Sequence, residues 1–206
     1  MLNIKNLFHN YGSDNPIIND FNLDIKKGEI ISITGASGSG KTTLLRLIAG
    51  LEKPSSGEII INNKLASCKD YIMPTERRSL GLVLEERALF PHLSVKKNVM
   101  FGINNFKEKE LLAIEYLNLF KIESIKDKFP HEISAGQQQR VAFARSLITN
   151  PDILMLDEPF SALDQKLKEE LYVETKNIFQ QKRLTVILVT HDEKEAKYFS
   201  DRIIEF

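Results

Sequence analysis

The chain has 206 residues, of which 42% are hydrophobic and 27% charged, and its 28 basic and 28 acidic side chains cancel at neutral pH. That length supports one well-built core, and the composition excludes intrinsic disorder. A net charge of zero disfavours a nucleic-acid grip or an anionic-membrane anchor, since both rest on a positive excess. No apolar run approaches the ~20 residues a bilayer-spanning helix needs, the opening MLNIKNLFHNYG has no signal-peptide core, and the lone Cys68 cannot form an internal disulfide. A soluble, cytosolic, single-domain protein is expected.

In chain order, Ile4, Leu7, Phe21, Leu23 and Ile25 alternate with polar neighbours, and residues 56–62 follow a turn at Pro54. Alternation of period two predicts antiparallel strands of a small sheet at one edge. Residues 29–34, 152–157 and 185–190 are instead continuous aliphatic runs, which suit parallel strands covered by helices on both faces. Leu44, Leu45, Leu47, Ile48 and Leu51 fall at helical spacing, as do Leu112, Tyr116 and Leu119, and then Leu167, Leu171 and Ile178. From Phe90 to Pro151 strand signals vanish. The fold class expected is α/β: a mostly parallel core sheet with an antiparallel β-subdomain (1–89 and 151–206) and an inserted helical subdomain (90–150).

Gly35-Ala36-Ser37-Gly38-Ser39-Gly40-Lys41-Thr42 matches G-x-x-x-x-G-K-[ST] in full, between a predicted strand and a predicted helix. The glycines let backbone N–H groups turn toward phosphate oxygens, and the helix N-terminus adds a favourable dipole. Lys41 is expected to reach the β- and γ-phosphates and the Thr42 hydroxyl to ligate Mg²⁺, with Thr43 beside them in the nucleotide site. Ile153-Leu154-Met155-Leu156 sinks a strand from whose tip Asp157 emerges, a second anchor for the magnesium shell. Glu158 follows directly and is the candidate general base for an attacking water. ATP and Mg²⁺ are therefore the expected ligands of a P-loop NTPase.

Ile133-Ser134-Ala135-Gly136-Gln137-Gln138-Gln139-Arg140, shortly before Asp157, resembles the signature motif of ABC-type ATPases, and nearly the whole chain lies along their nucleotide-binding domain. The resemblance implies further roles. Tyr11 would stack on adenine, Glu85 would occupy the Q-loop position, Ser161 to Asp164 would form the D-loop with Asp164 near the nucleotide, and His191 would be the switch histidine that contacts γ-phosphate. Ser134 is also a good helix N-cap, and the terminus it opens with Ala135, Gly136 and Gln137 is a second phosphate-seeking surface. In the family the signature of one protomer closes on ATP held by the phosphate loop of the other, which implies a head-to-tail pair.

The sequence departs from the family pattern twice. Glu85 stands where the family usually has Gln; a carboxylate still ligates Mg²⁺ but adds negative charge beside the triphosphate, so nucleotide binding is expected to depend strongly on Mg²⁺. Ala135 replaces a Gly and is expected to be helical, where Ala is favoured by roughly 1 kcal/mol. His9, His92 and His131 form no metal spacing, Cys68 reads as an ordinary thiol, Met155 as core, and Arg77 and Arg78 as a solvated pair. Leu89-Phe90-Pro91-His92 is similar to ATPases of bacterial solute importers.

The function expected is an ATP-hydrolysing subunit on the cytoplasmic face of a membrane, driving solute transport through separate permease subunits, with a solute-binding protein as a further candidate partner and no nucleic acid. A low-activity or mechanical cassette is the alternative. Soluble repair or translation ATPases are a weaker one, since this chain has one cassette, no Cys pair and no charge excess. After His191 only a short helical stretch and residues 200–206 remain, which reads as a near-minimal cassette.

Overall fold

The computed structural model describes residues 1–12, 15–103 and 109–206. Strands β1 (Leu2–His9) and β2 (Ile18–Ile25) pair antiparallel, with Leu2 opposite Ile25 and Ile4 opposite Leu23. β3 (Ile30–Thr34) leads through the phosphate loop into helix α1 (Lys41–Ala49), which ends at Gly50 with φ 78°. β4 (Ser56–Ile61), β5 (Lys64–Cys68) and β6 (Tyr71–Ile72) complete an antiparallel sheet in the order β2-β1-β4-β5-β6. Next come β7 (Leu80–Val83), α2 (Val95–Met100), α3 (Lys109–Leu119) and α4 (Ala135–Leu147). The chain closes with β8 (Ile153–Asp157), α5 (Gln165–Lys182), β9 (Thr185–Val189), α6 (Glu193–Phe199) and β10 (Arg202–Glu205).

The second sheet is parallel throughout, in the order β10-β3-β9-β8-β7. β8 and β9 bury every residue, and alternate side chains enter two different cores. Leu154 and Leu156 of β8 and Val186 and Leu188 of β9 pack with Phe143, Phe160 and Phe179 on the side of α4 and α5. Ile153, Met155, Ile187 and Val189 face the opposite way, onto Leu44, Leu45, Leu47 and Ile48 of α1 and the inward residues of β1 and β4. This two-sided burial is why the runs are continuously apolar. Each core residue contributes roughly 1.5–3 kcal/mol by leaving water. The strands thereby hold the tips of β3, β8 and β9 side by side at one edge of the sheet.

The α/β expectation, with its antiparallel sheet and helical segment, matches these elements; residues 104–108 of the helical segment lie outside the described residues. Met155 is core and Ala135 is the first residue of α4, as expected. Arg78 contradicts its reading as half of a solvated pair. It is 1% exposed, whereas Arg77 is exposed. Its guanidinium donates to the carbonyls of Met73, Leu47, Ile48 and Ala66 and to Ser67 Oγ, at 2.7–3.3 Å. Burial pulls its pKa down, but hydrogen bonding of the whole fork makes the buried cation tolerable. The residue staples the C-terminus of α1 to β5. A Cβ on Gly50 would lie 2.4 Å from the same guanidinium, so glycine is needed there for space as well as for its φ.

Candidate nucleotide-binding site

The phosphate loop runs from the buried tip of β3 to the first turn of α1. Gly38 and Gly40 take φ values of 79° and 105°, a region L side chains avoid. A Cβ on Gly40 would also meet Ile17 Cγ2 at 2.6 Å. Gly40 caps α1 with no side-chain hydrogen bond, so the first N–H groups of the helix keep their donors for an anion. Lys41 is 5% exposed, and its ammonium donates to the carbonyls of Gly35 (3.0 Å) and Ala36 (2.7 Å). The cation is thus drawn inside the curve of the loop.

Thr42 Oγ1 donates to both oxygens of Asp157, at 3.0 and 3.3 Å, joining the start of α1 to the tip of β8. Burial pushes the Asp157 carboxyl up; the Thr42 bond opposes this, the charges of Glu158 and Glu85 add to it, and Lys41 counters them. Acidic groups thus outnumber the single ammonium. That imbalance, with donors that are all hard oxygens, fits Mg²⁺. Among the described residues no three His, Cys, Asp or Glu side chains converge into an all-protein metal cage. Thr42, Asp157 and Glu85 suit instead an ion that shares its shell with phosphate oxygens.

Glu158 adopts φ 45° in the left-handed region, a conformation that costs a non-glycine residue roughly 1 kcal/mol or more. Its N–H donates to Val189 O at 2.9 Å, which keeps it against the tip of β9. The turn aims its carboxylate at His191, whose Nδ1 lies 2.7 Å from Glu158 Oε2. Ser161 Oγ lies 3.1 Å from both Glu85 Oε1 and Glu158 O, and so ties the Q-loop position to the chain leaving β8. The sequence places Ser161 only in the D-loop that the resemblance implies, and nothing local in it points to the contact with Glu85. Together Ile17, Ser37, Gly38, Gly40, Lys41, Thr42, Thr43, Glu85 and Glu158 line a cavity of about 260 Å³. Ile17 carries no signal in the sequence as a site residue.

The remaining expected residues sit elsewhere. Ser134 to Gln137 open α4 and do not line that cavity. Ser134 Oγ accepts from Gln137 N at 3.3 Å, while Gln137 Oε1 accepts from Ser134 N at 3.0 Å, a reciprocal capping box. A Cβ on Gly136 would meet Leu167 Cδ2 at 2.5 Å, so this glycine lets α5 pack closely on α4. Asp164 caps α5, its Oδ1 accepting from Leu167 N at 3.1 Å. Tyr11 is 56% exposed, and its hydroxyl reaches Glu52 and, at 3.5 Å, Thr43 Oγ1. Ala36 and His191 line a neighbouring cleft with Glu193 and Ile203. Ser39 Oγ is buried with no hydrogen-bond partner.

A phosphate loop between β3 and α1, an acid pair at the tip of β8 and a histidine just past β9 define a P-loop nucleotide-binding cassette. Residues 18–161 match the model of the ABC transporter family, and the chain belongs to that family. It is 42% identical over 207 residues to a Haemophilus influenzae Fe(3+) ions import ATP-binding protein, covering 98% of this chain and 58% of that relative. It is 45% identical over 206 residues to the corresponding Fusobacterium nucleatum protein (98% and 54%) and 42% identical over 208 residues to a Haemophilus influenzae spermidine/putrescine import ATP-binding protein (99% and 55%). The chain thus spans little more than half the length of these relatives. A solved dimeric ATP-binding cassette in a post-hydrolysis state with ADP and Pi superposes with a TM-score of 0.87 at 35% identity, covering 100% of this chain and 94% of that one. The fold is that of an ABC ATPase cassette.

Proposed function

We propose that this chain hydrolyses ATP as the cassette of a solute importer, working as a head-to-tail dimer docked on separate membrane subunits. The observation that carries the reading is the convergence of Thr42, Asp157, Glu158, Glu85 and Lys41 at one edge of the sheet, with Glu158 braced by His191 at 2.7 Å. The loop N–H groups and Lys41 hold the triphosphate. Thr42, Asp157 and Glu85 would hold Mg²⁺, which would supply charge neutralisation for the triphosphate. Glu158 accepts the proton of the attacking water. His191 orients that carboxylate and, as the family resemblance implies, contacts the γ-phosphate.

The dimer reading is supported by the place of Ser134 to Gln137 on a separate helix end, outside the phosphate-loop cavity, and by the dimeric form of the superposed cassette. Import is supported by the relatives, which are Fe(3+) and spermidine/putrescine import ATP-binding proteins. The relatives' names as import ATP-binding proteins favour separate permease subunits and a peripheral place at the cytoplasmic face; among the described residues no helix is long and apolar enough to cross a membrane. A solute-binding protein is a further candidate partner. Glu158→Gln is the test: turnover should fall by roughly 100-fold or more, while ATP binding persists and light scattering detects a stalled dimer. Unimpaired turnover would remove Glu158 as the base, and a wild-type chain inactive with its membrane partner would favour a mechanical cassette.

A further inference from the structure

The loop that leaves α1 carries Glu52, a residue in none of the motifs above. Its carboxylate is the meeting point of three side chains. The Tyr11 hydroxyl donates to Glu52 Oε2, and Arg46 Nη1 donates to Oε1 at 3.2 Å. The third, His9 Nε2, lies 3.6 Å from Oε2. His9 is 6% exposed and packs edge-on against the Tyr11 ring, with centroids 4.8 Å apart and planes at 89°. The backbones are stitched as well: Asn10 N donates to Ser55 Oγ at 3.3 Å, and Ser55 N donates to Phe8 O at 3.0 Å.

An aromatic ring exposed by more than half would ordinarily sample several rotamers, and a base stacking on it would bear the entropy of fixing it. Here the ring is gripped at its hydroxyl by a charge-assisted bond and meets the His9 ring in a perpendicular contact. Glu52 belongs to the exit of α1, whose entrance is the phosphate loop, so one rigid element sets both the phosphate end and the ring position. We propose that Glu52 is the positioning residue for the nucleobase, holding Tyr11 so that its face is presented at a fixed distance from the phosphate loop. The inference rests on the reading of Tyr11 as the adenine platform. It assigns base affinity, as distinct from triphosphate affinity, to a carboxylate on the far end of α1.

The experiment is calorimetric titration of the whole chain with Mg·ATP and, separately, with Mg·tripolyphosphate, which has phosphates but no base. Glu52→Ala should weaken ATP about five-fold and tripolyphosphate by less than about two-fold, the size of one lost tethering bond. Glu52→Gln, which keeps an acceptor, should fall between. Tyr11→Phe should match Glu52→Ala, and the double variant should be no weaker than either alone. Equal weakening of both ligands would show a merely structural residue and overturn the inference. So would an unchanged ATP affinity in Glu52→Ala while Tyr11→Ala binds ATP weakly. If Tyr11→Ala itself binds ATP normally, the adenine-platform reading falls and takes this inference with it.

Discussion

Two helices of this protein begin at phosphate-seeking ends, and they are built differently. α1 starts at Gly40, with φ 105° and no side chain over its first turn. α4 is capped by Ser134, in an extended conformation, with a capping box that occupies the N–H groups of Gln137 and Ser134. The first end is left open for a ligand with several negative oxygens and has Lys41 beside it. The second keeps only the N–H groups of Ala135 and Gly136, together with the Ser134 hydroxyl, for an outside group. α5 and α6 are capped by Asp164 and Asp192, whose carboxylates would repel an anion. The caps differ accordingly: the first end leaves its N–H groups open, the Ser134 end leaves two of them, and the Asp-capped ends carry a negative charge over theirs.

The largest effect should come from emptying the first end. Lys41→Ala removes the buried ammonium between Gly35 O and Ala36 O, and ATP affinity measured by calorimetry should drop by more than about 100-fold. Ser134→Ala should weaken α4 by ~1 kcal/mol in thermal unfolding and suppress dimer formation, while ATP still binds the phosphate loop. If Ser134→Ala lowers the affinity of the monomer as much as Lys41→Ala does, the two ends are not distinct and the comparison fails.

Much of the first end was legible in the sequence because its parts are contiguous. Backbone geometry alone carries eight consecutive residues from Gly35 to Thr42 into a loop, and Asp157 and Glu158 emerge together wherever their strand stops. The Ser134 cap is local too. What stayed hidden depends on distant partners. Arg78 reads as solvated until the fold brings Leu47, Ile48 and Ala66 around it. The short strands β7 and β10 have too few residues to announce a period, and only pairing with β8 and β3 makes them strands. Glu52 looks like an ordinary loop acid; its meaning lies in a tyrosine that the sequence places 41 residues away.

The carboxylate-capped extreme can be sharpened through pH. In the first turn of α6, burial pushes the Glu195 carboxyl up to about 7 from 4.5, against the hydrogen bond from Tyr172, which opposes the shift. Glu195 is 2% exposed, and its Oε1 has no hydrogen-bond partner. Because its folded pKa is raised, the folded chain binds more protons than the unfolded chain between these values, so stability falls as pH rises through that window. Glu195→Gln should gain about 2 kcal/mol relative to the parent between about pH 4 and about pH 8, read from denaturant unfolding at each pH. An unchanged pH profile would mean that the carboxylate is not desolvated at this acidic end.

The smallest effect falls on the charge balance of the open end. Glu85 accepts from Ser161 at 3.1 Å and faces the same cavity as Lys41 and Glu158. With Asp157 it sets three carboxylates against one ammonium, a deficit that the ligand's own phosphates deepen and only a divalent cation offsets. Replacing Glu85 by Gln keeps an oxygen that can accept from Ser161 and removes one charge. ATP affinity without Mg²⁺ should then rise by roughly three-fold, and the gain in ATP affinity on adding saturating Mg²⁺ should be correspondingly smaller than in the parent. Titrating ATP at a series of Mg²⁺ concentrations measures both. An identical Mg²⁺ requirement in Glu85→Gln would place the Glu85 charge outside the field of the triphosphate, and the openness of α1, with Lys41, would be the whole account of phosphate binding.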